Sequence, residues 1–210
     1  MKRNGSGYTP GAAVNTDLRR RRFGETDTEG QSMIRMVTIY SGGQAGVDRG
    51  ALEAALQTGN PCAGWCPKGR LAEDGPIPPR YPLRQVDGGY EERTRKNVED
   101  SDGTLILHRG PLTQGTLLTL QICRELGKPV CLIDANTSSP EDAAVTAQQF
   151  IEQHGIERLN VAGPRRSHWT QSYHYALDAI RALILLLWHD DWMAAAQSPR
   201  VLSHRPGAVV

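Results

Sequence analysis

Short β-rich runs alternate with helical segments through the middle of this chain, and that alternation limits the fold more than any other feature. "MVTIY" (Met36 to Tyr40) has the β-branched content of a strand, and a helical pattern follows from Val47 to Gln57. "PCAGWC" (Pro61 to Cys66) is a weaker strand candidate. A polar helix over Tyr90 to Glu99 leads into the strand "GTLILH" (Gly103 to His108). The next helix, Gly115 to Leu126, carries its own stop signal, with Gly127 as cap and Pro129 beyond. "PVCLID" (Pro129 to Asp134) reads as a strand. In the helix after it, Ser139 is the N-cap, Pro140 the first helical residue, and acids fill the first turn. "RLNVAG" (Arg158 to Gly163) is the last strand and residues 171–189 the last helix. Strands separated by helices of this length predict an α/β fold, a mostly parallel sheet with helices on both faces.

The flanks read differently. Residues 1–34 are rich in Gly, Arg, Thr and Ser without apolar periodicity, and they include the run Arg19 to Arg22. They are expected to be a disordered basic leader, with the ligand-binding domain over 35–190 and an unstructured tail over 191–210. With 24 Lys+Arg against 23 Asp+Glu, net charge drives the chain toward neither nucleic acid nor anionic lipid. The longest apolar run, "ALILLLW" (Ala182 to Trp188), is far short of the ~20 residues of a membrane span. No apolar signal core opens the sequence, so a cytoplasmic protein is expected. Cys62, Cys66, Cys123 and Cys131 fit buried small hydrophobes better than a disulfide framework or a zinc site.

Three strand ends run straight into glycine-bearing loops: "YSGGQAGVD", "HRGPLTQGT" and "NVAGPRRS". In an open α/β sheet, ligands sit beyond the carboxyl ends of the strands, where glycines admit close backbone approach and helix N-termini favour anions. None of the three is a Walker A loop or a G-x-G-x-x-G fingerprint. Together they point to a phosphate-bearing or nucleotide-like ligand held by Ser41, Gly42, Gly43, Gln44 and Gly46, by Arg109, Gly110, Thr113, Gly115 and Thr116, and by Gly163 and Arg165. Asp48 is either a ligand contact or a first-turn acid that favours its helix N-terminus. The stretch "PKGRLAEDGPIPPRYPL" holds too much Gly and Pro for regular structure and reads as a long functional loop. It offers Lys68 and Arg70 as ligand contacts. Glu73 and Asp74 on that loop are carboxylates available for catalysis, or else partners of Arg70 in a salt bridge. No metal-ligating cluster is evident.

"SGGQAGVDRGALEAAL", "GWCPKGRLAEDGPIP", "RTRKNVEDSDGTLIL", "GTLLTLQICRELGKP" and "LNVAGPR", in this order, resemble the family named "putative molybdenum carrier", a YpsA-like branch of the SLOG superfamily related to the LOG proteins. The resemblance spans Val37 to Leu186. It implies a Rossmann-like fold, a nucleotide-like ligand and homo-oligomers (dimer or tetramer). For the carrier type, the ligand it implies is molybdenum cofactor, a molybdopterin whose dithiolene holds the metal without protein ligands. Ser41, Gly42, Gly43, Gln44 and Gly46 match the first ligand loop, and Gly115 and Thr116 the second. LOG hydrolases place a Glu where this chain has Thr119, and Thr cannot act as a carboxylate base. The resemblance therefore favours a carrier or binding protein, with an N-glycoside hydrolase (phosphoribohydrolase) and a nucleotide-signal sensor as open alternatives.

Overall fold

The computed structural model describes residues 36–197; the Arg19 to Arg22 run, with the rest of the expected leader, lies outside them. Nine strands and five α-helices follow in chain order. They are β1 (Thr38–Tyr40), α1 (Val47–Thr58), β2 (Cys62–Ala63), β3 (Trp65–Pro67), β4 (Leu71–Ala72), β5 (Gly75–Pro76), β6 (Arg84–Val86) and α2 (Tyr90–Asp100). After them come β7 (Gly103–His108), α3 (Gln114–Glu125), β8 (Val130–Asp134), α4 (Pro140–His154), β9 (Arg158–Ala162) and α5 (Ser172–Gln197).

Five strands form one parallel sheet in the order β2-β1-β9-β7-β8. Its register sets Ile39 beside Leu159 and Ile106 beside Ala162. The last strand is thus inserted at the centre. Counted from β9, the same sheet reads 3-2-1-4-5, the order of a Rossmann sheet whose chain has been opened elsewhere. The expected α/β Rossmann-like fold is present, with its switch point between β9 and β7.

Apolar spacing decides which helix covers which face. Val47, Ala51, Ala54 and Ala55 lie on one side of α1 and are fully buried. They share a core with Ala144, Ala147 and Ile151 of α4, and with Ala176, Ile180 and Leu183 of α5. Gly50 lets α1 and α5 approach closely, since a Cβ there would stand 2.3 Å from the Tyr173 carbonyl oxygen. On the opposite face Val98 of α2 packs with Ile122 and Cys123 of α3. In a parallel sheet every crossover helix runs back against the strands, so the helix N-termini gather at the carboxyl edge of the sheet.

The expected N-cap of α4 acts as read, and Gly127, the expected stop of α3, lies just past that helix with a φ of 62°. Ser139 Oγ accepts the Asp142 N–H at 3.1 Å, and Gly59 and Gly155 close α1 and α4 in the left-handed conformation. Three readings change. The "PCAGWC" strand breaks at Gly64, whose φ of 147° turns β3 out of the main sheet to pair with β6. The long loop is also less irregular than its composition predicts. It contains a turn of 3-10 helix at Lys68–Arg70 and the hairpin β4–β5, and Ile77, Tyr81 and Leu83 form a small core with Leu52 and Cys66. The last helix continues past the expected end at 189 to Gln197.

Candidate functional site

At the carboxyl end of β1 the glycine loop is packed rather than open. Ser41 is fully buried and its hydroxyl donates to the Val161 carbonyl at 2.7 Å, tying β1 to β9. Gly43 and Gly46 have φ of 75° and 115°, which L side chains rarely adopt. A Cβ on Gly42 would stand 2.1 Å from the Arg93 guanidinium. Gln44 is buried, its side-chain amide donating to the Leu71 carbonyl at 3.0 Å, while its Oε1 has no partner.

Asp48 and Arg93 form an ion pair at 3.1 Å beneath this loop, with side-chain exposures of 5% and 12%. Burial pushes the Asp48 carboxyl above its ordinary value, and Arg93, the Gln44 N–H and Arg165 offset that only in part. Asp48 is thus a buried ion-pair partner rather than a simple first-turn acid. Arg165, on the loop after β9, lies over the Tyr90 ring at 4.4 Å and brings a cation toward the N-terminus of α2. Gly163 sits where β9 meets β7 and α1, and its Cβ would be 2.4 Å from the Leu107 carbonyl oxygen.

The loop after β7 divides in two. Arg109 donates to Asn136 Oδ1 at 3.0 Å and the Gly110 N–H to Asp134 Oδ1 at 3.2 Å, so this half is tied to the end of β8. The other half opens α3. Thr113 is its N-cap, with extended backbone but no side-chain bond to the helix N–H groups. The Thr113 and Thr116 hydroxyls face each other at 3.1 Å, and Thr116 donates to the Thr113 carbonyl at 2.8 Å. Gly115 is exposed with open space around it. The first turn of α3 therefore retains N–H groups for an external acceptor. Thr119 is buried and donates to the Gly115 carbonyl at 3.0 Å.

The charged side chains of the long loop are engaged within the protein. Arg70 donates to the carbonyls of Ile77, Leu83, Pro78 and Tyr81, so its guanidinium organises the loop from within. Lys68 pairs with Asp87 on the surface at 2.8 Å. Neither Glu73 nor Asp74 pairs with Arg70. Glu73 accepts from the Ser167 N–H and hydroxyl at 3.1 and 2.6 Å, and Asp74 pairs with Arg49. The hairpin tip is thereby clamped over the loop after β9. Between them lies a cleft of 270 Å³ lined by Gly46, Arg49, Asp74, Arg166, Tyr173 and His174, among others.

Arg49, Arg93, Tyr90, Tyr173 and His174 were not singled out by sequence reasoning. One signal was available: Arg49 and Arg93 are cations in the first turns of α1 and α2, where the helix dipole disfavours them without a carboxylate nearby. Among the described residues no group of three or more His, Cys, Asp or Glu could hold a metal, and no helix is long and apolar enough to cross a membrane. The four cysteines are free, and burial raises each thiol above its ordinary value.

The sequence model of the Circularly permutated YpsA SLOG family matches residues 39–184. The chain belongs to that family. Its description agrees with the sheet, in which β9 takes the place of a Rossmann first strand. A solved structure described as "Putative molybdenum carrier protein" from Syntrophus aciditrophicus is 41% identical with a TM-score of 0.69, over 71% of this chain and 96% of that one. No curated protein matches the sequence. Within this SLOG protein, the switch point separates two faces of the carboxyl edge. Arg165, Tyr90 and the start of α3 lie toward the α2/α3 face, and the cleft beside Arg49 lies on the α1/α5 face.

Proposed function

We propose that this SLOG protein binds a small phosphate-bearing molecule, a nucleotide or a phosphorylated pterin such as molybdenum cofactor, and carries it without converting it. The observation that supports this reading is that the loop bearing Gly163 and Arg165 and the loop that leads to the α3 first turn follow two neighbouring strands, β9 and β7, on either side of the switch point. Helix N–H groups and a guanidinium suit a phosphate, and Gly115 leaves room for close approach. The likeness to a protein described as a molybdenum carrier favours a pterin among such ligands. Carriage is favoured over N-glycoside cleavage because Thr119, at the position of the LOG Glu, is buried and spends its hydroxyl on Gly115.

Calorimetry of the purified chain with a nucleoside 5′-monophosphate and with a phosphorylated pterin tests the proposal, with chromatography to detect free base. The expected result is binding in the wild type, its loss in Gly115→Glu, and no base release. Base release that disappears in Glu73→Ala or Asp74→Ala would overturn carriage in favour of hydrolysis. Absence of binding to either probe would overturn the site.

A further inference from the structure

The cleft on the α1/α5 face contains none of the residues of the switch-point reading except Gly46, and its chemistry is its own. Arg49 enters from the first turn of α1, one bond going to Asp74 and another to the Gly43 carbonyl at 3.1 Å. Its Nε is buried without a partner. Arg166 is exposed, and its guanidinium has no carboxylate partner among the described residues; only its backbone N–H is engaged, with Ala45 at 2.9 Å. Tyr173 and His174 come from the first turn of α5, the positive end of that helix. Glu73 is turned away to Ser167, so Asp74 is the one acid on the cleft wall. Two guanidiniums against one carboxylate leave the cleft cationic before His174 is counted.

Asp74 makes with Arg49 the contact that an oxyanion would make. A volume of 270 Å³ also holds much more than a bare ion, since one water takes about 30 Å³. Tyr173 gives the remaining space an aromatic wall.

We propose that this cleft is a second ligand site, which binds the phosphate of a small phosphate monoester through Arg49 and Arg166, with His174 at its side. The phosphate displaces Asp74 from Arg49, and the organic part lies along Tyr173. The site borders the switch point, with Arg166 next in the chain to Arg165, but Arg49, Tyr173 and His174 belong to the cleft alone.

Calorimetry with phenyl phosphate, and with phenol as the uncharged control, tests this on the full chain. The measurement is made in the Gly115→Glu background, which closes the α3 end. Phenyl phosphate is expected to bind there and phenol not to. Arg166→Gln removes an exposed charge and should weaken binding about tenfold, the scale of one charge-assisted phosphate contact. Asp74→Asn keeps the side-chain size, removes the competitor for Arg49 and should tighten binding severalfold. Thermal melts confirm that each variant is folded. No binding in the Gly115→Glu background overturns the proposal, as do Arg166→Gln and Asp74→Asn affinities that match the background's. Binding abolished by Gly115→Glu alone supports the switch-point site while overturning this one, so the two fail separately.

Discussion

Arg93 and Asp48, 45 positions apart in the sequence, meet at 3.1 Å beneath the first glycine loop, where neither side chain has appreciable access to water. The pair fixes the N-terminus of α2 against that of α1, and the Arg93 guanidinium covers Gly42, so that a side chain there would have to displace it. Taking either partner away leaves a buried charge without its counter-ion. Asp48→Ala and Arg93→Ala should each lower stability by about 3–5 kcal/mol, read from urea denaturation. The double variant should cost clearly less than the sum, because its second change removes the stranded charge.

Gly64 and Gly115 should respond oppositely to alanine. At Gly64 φ is 147° and a Cβ would lie 2.0 Å from the Ser41 carbonyl oxygen, so Gly64→Ala should destabilise by at least ~1–3 kcal/mol. Gly115 has open space in the first turn of α3, and Gly115→Ala should be neutral or stabilise by about 0.5–1 kcal/mol. Paired thermal melts decide between these signs.

Arg70 should prove structural. Its four carbonyl acceptors lie between Ile77 and Leu83, and a lysine ammonium cannot reproduce the planar fork. Arg70→Lys should cost about 2–3 kcal/mol and speed hydrogen exchange across residues 71–83, while exchange in β7 and β9 stays near wild type. Intact protection of the loop in that variant would contradict the assignment.

Asp102 should contribute to acid sensitivity. Burial pushes this carboxyl up, but hydrogen bonds from the Arg158 side chain and backbone outweigh it and hold the folded value below 3.8. The folded state therefore releases the proton more readily than the unfolded one. The resulting stability is present above pH 3.8 and is lost as the pH falls through the lower folded value. Asp102→Asn should be less stable than wild type near neutrality, and the gap should narrow on acidification, as followed by denaturation at a series of pH values.

Much of the architecture is local and was legible in the residues. Ser139-Pro140 starts α4, Gly127 follows the end of α3, and apolar spacing marks α1, because caps and periodicity depend on neighbours within a turn or two. The strand–helix alternation also determined a parallel α/β sheet. Composition misled at residues 67–83, where Gly and Pro concealed a hairpin and a small core held from inside by Arg70. The sequence by itself also marked the three glycine loops as strand-end features. Only the tertiary structure decided that β9 lies between β1 and β7, that Asp48 belongs to Arg93, and that Glu73 and Asp74 belong to Ser167 and Arg49. Those partners are 25 to 94 positions apart. Which charges meet across such distances is set by sheet order and helix packing, and no local pattern of residues encodes it.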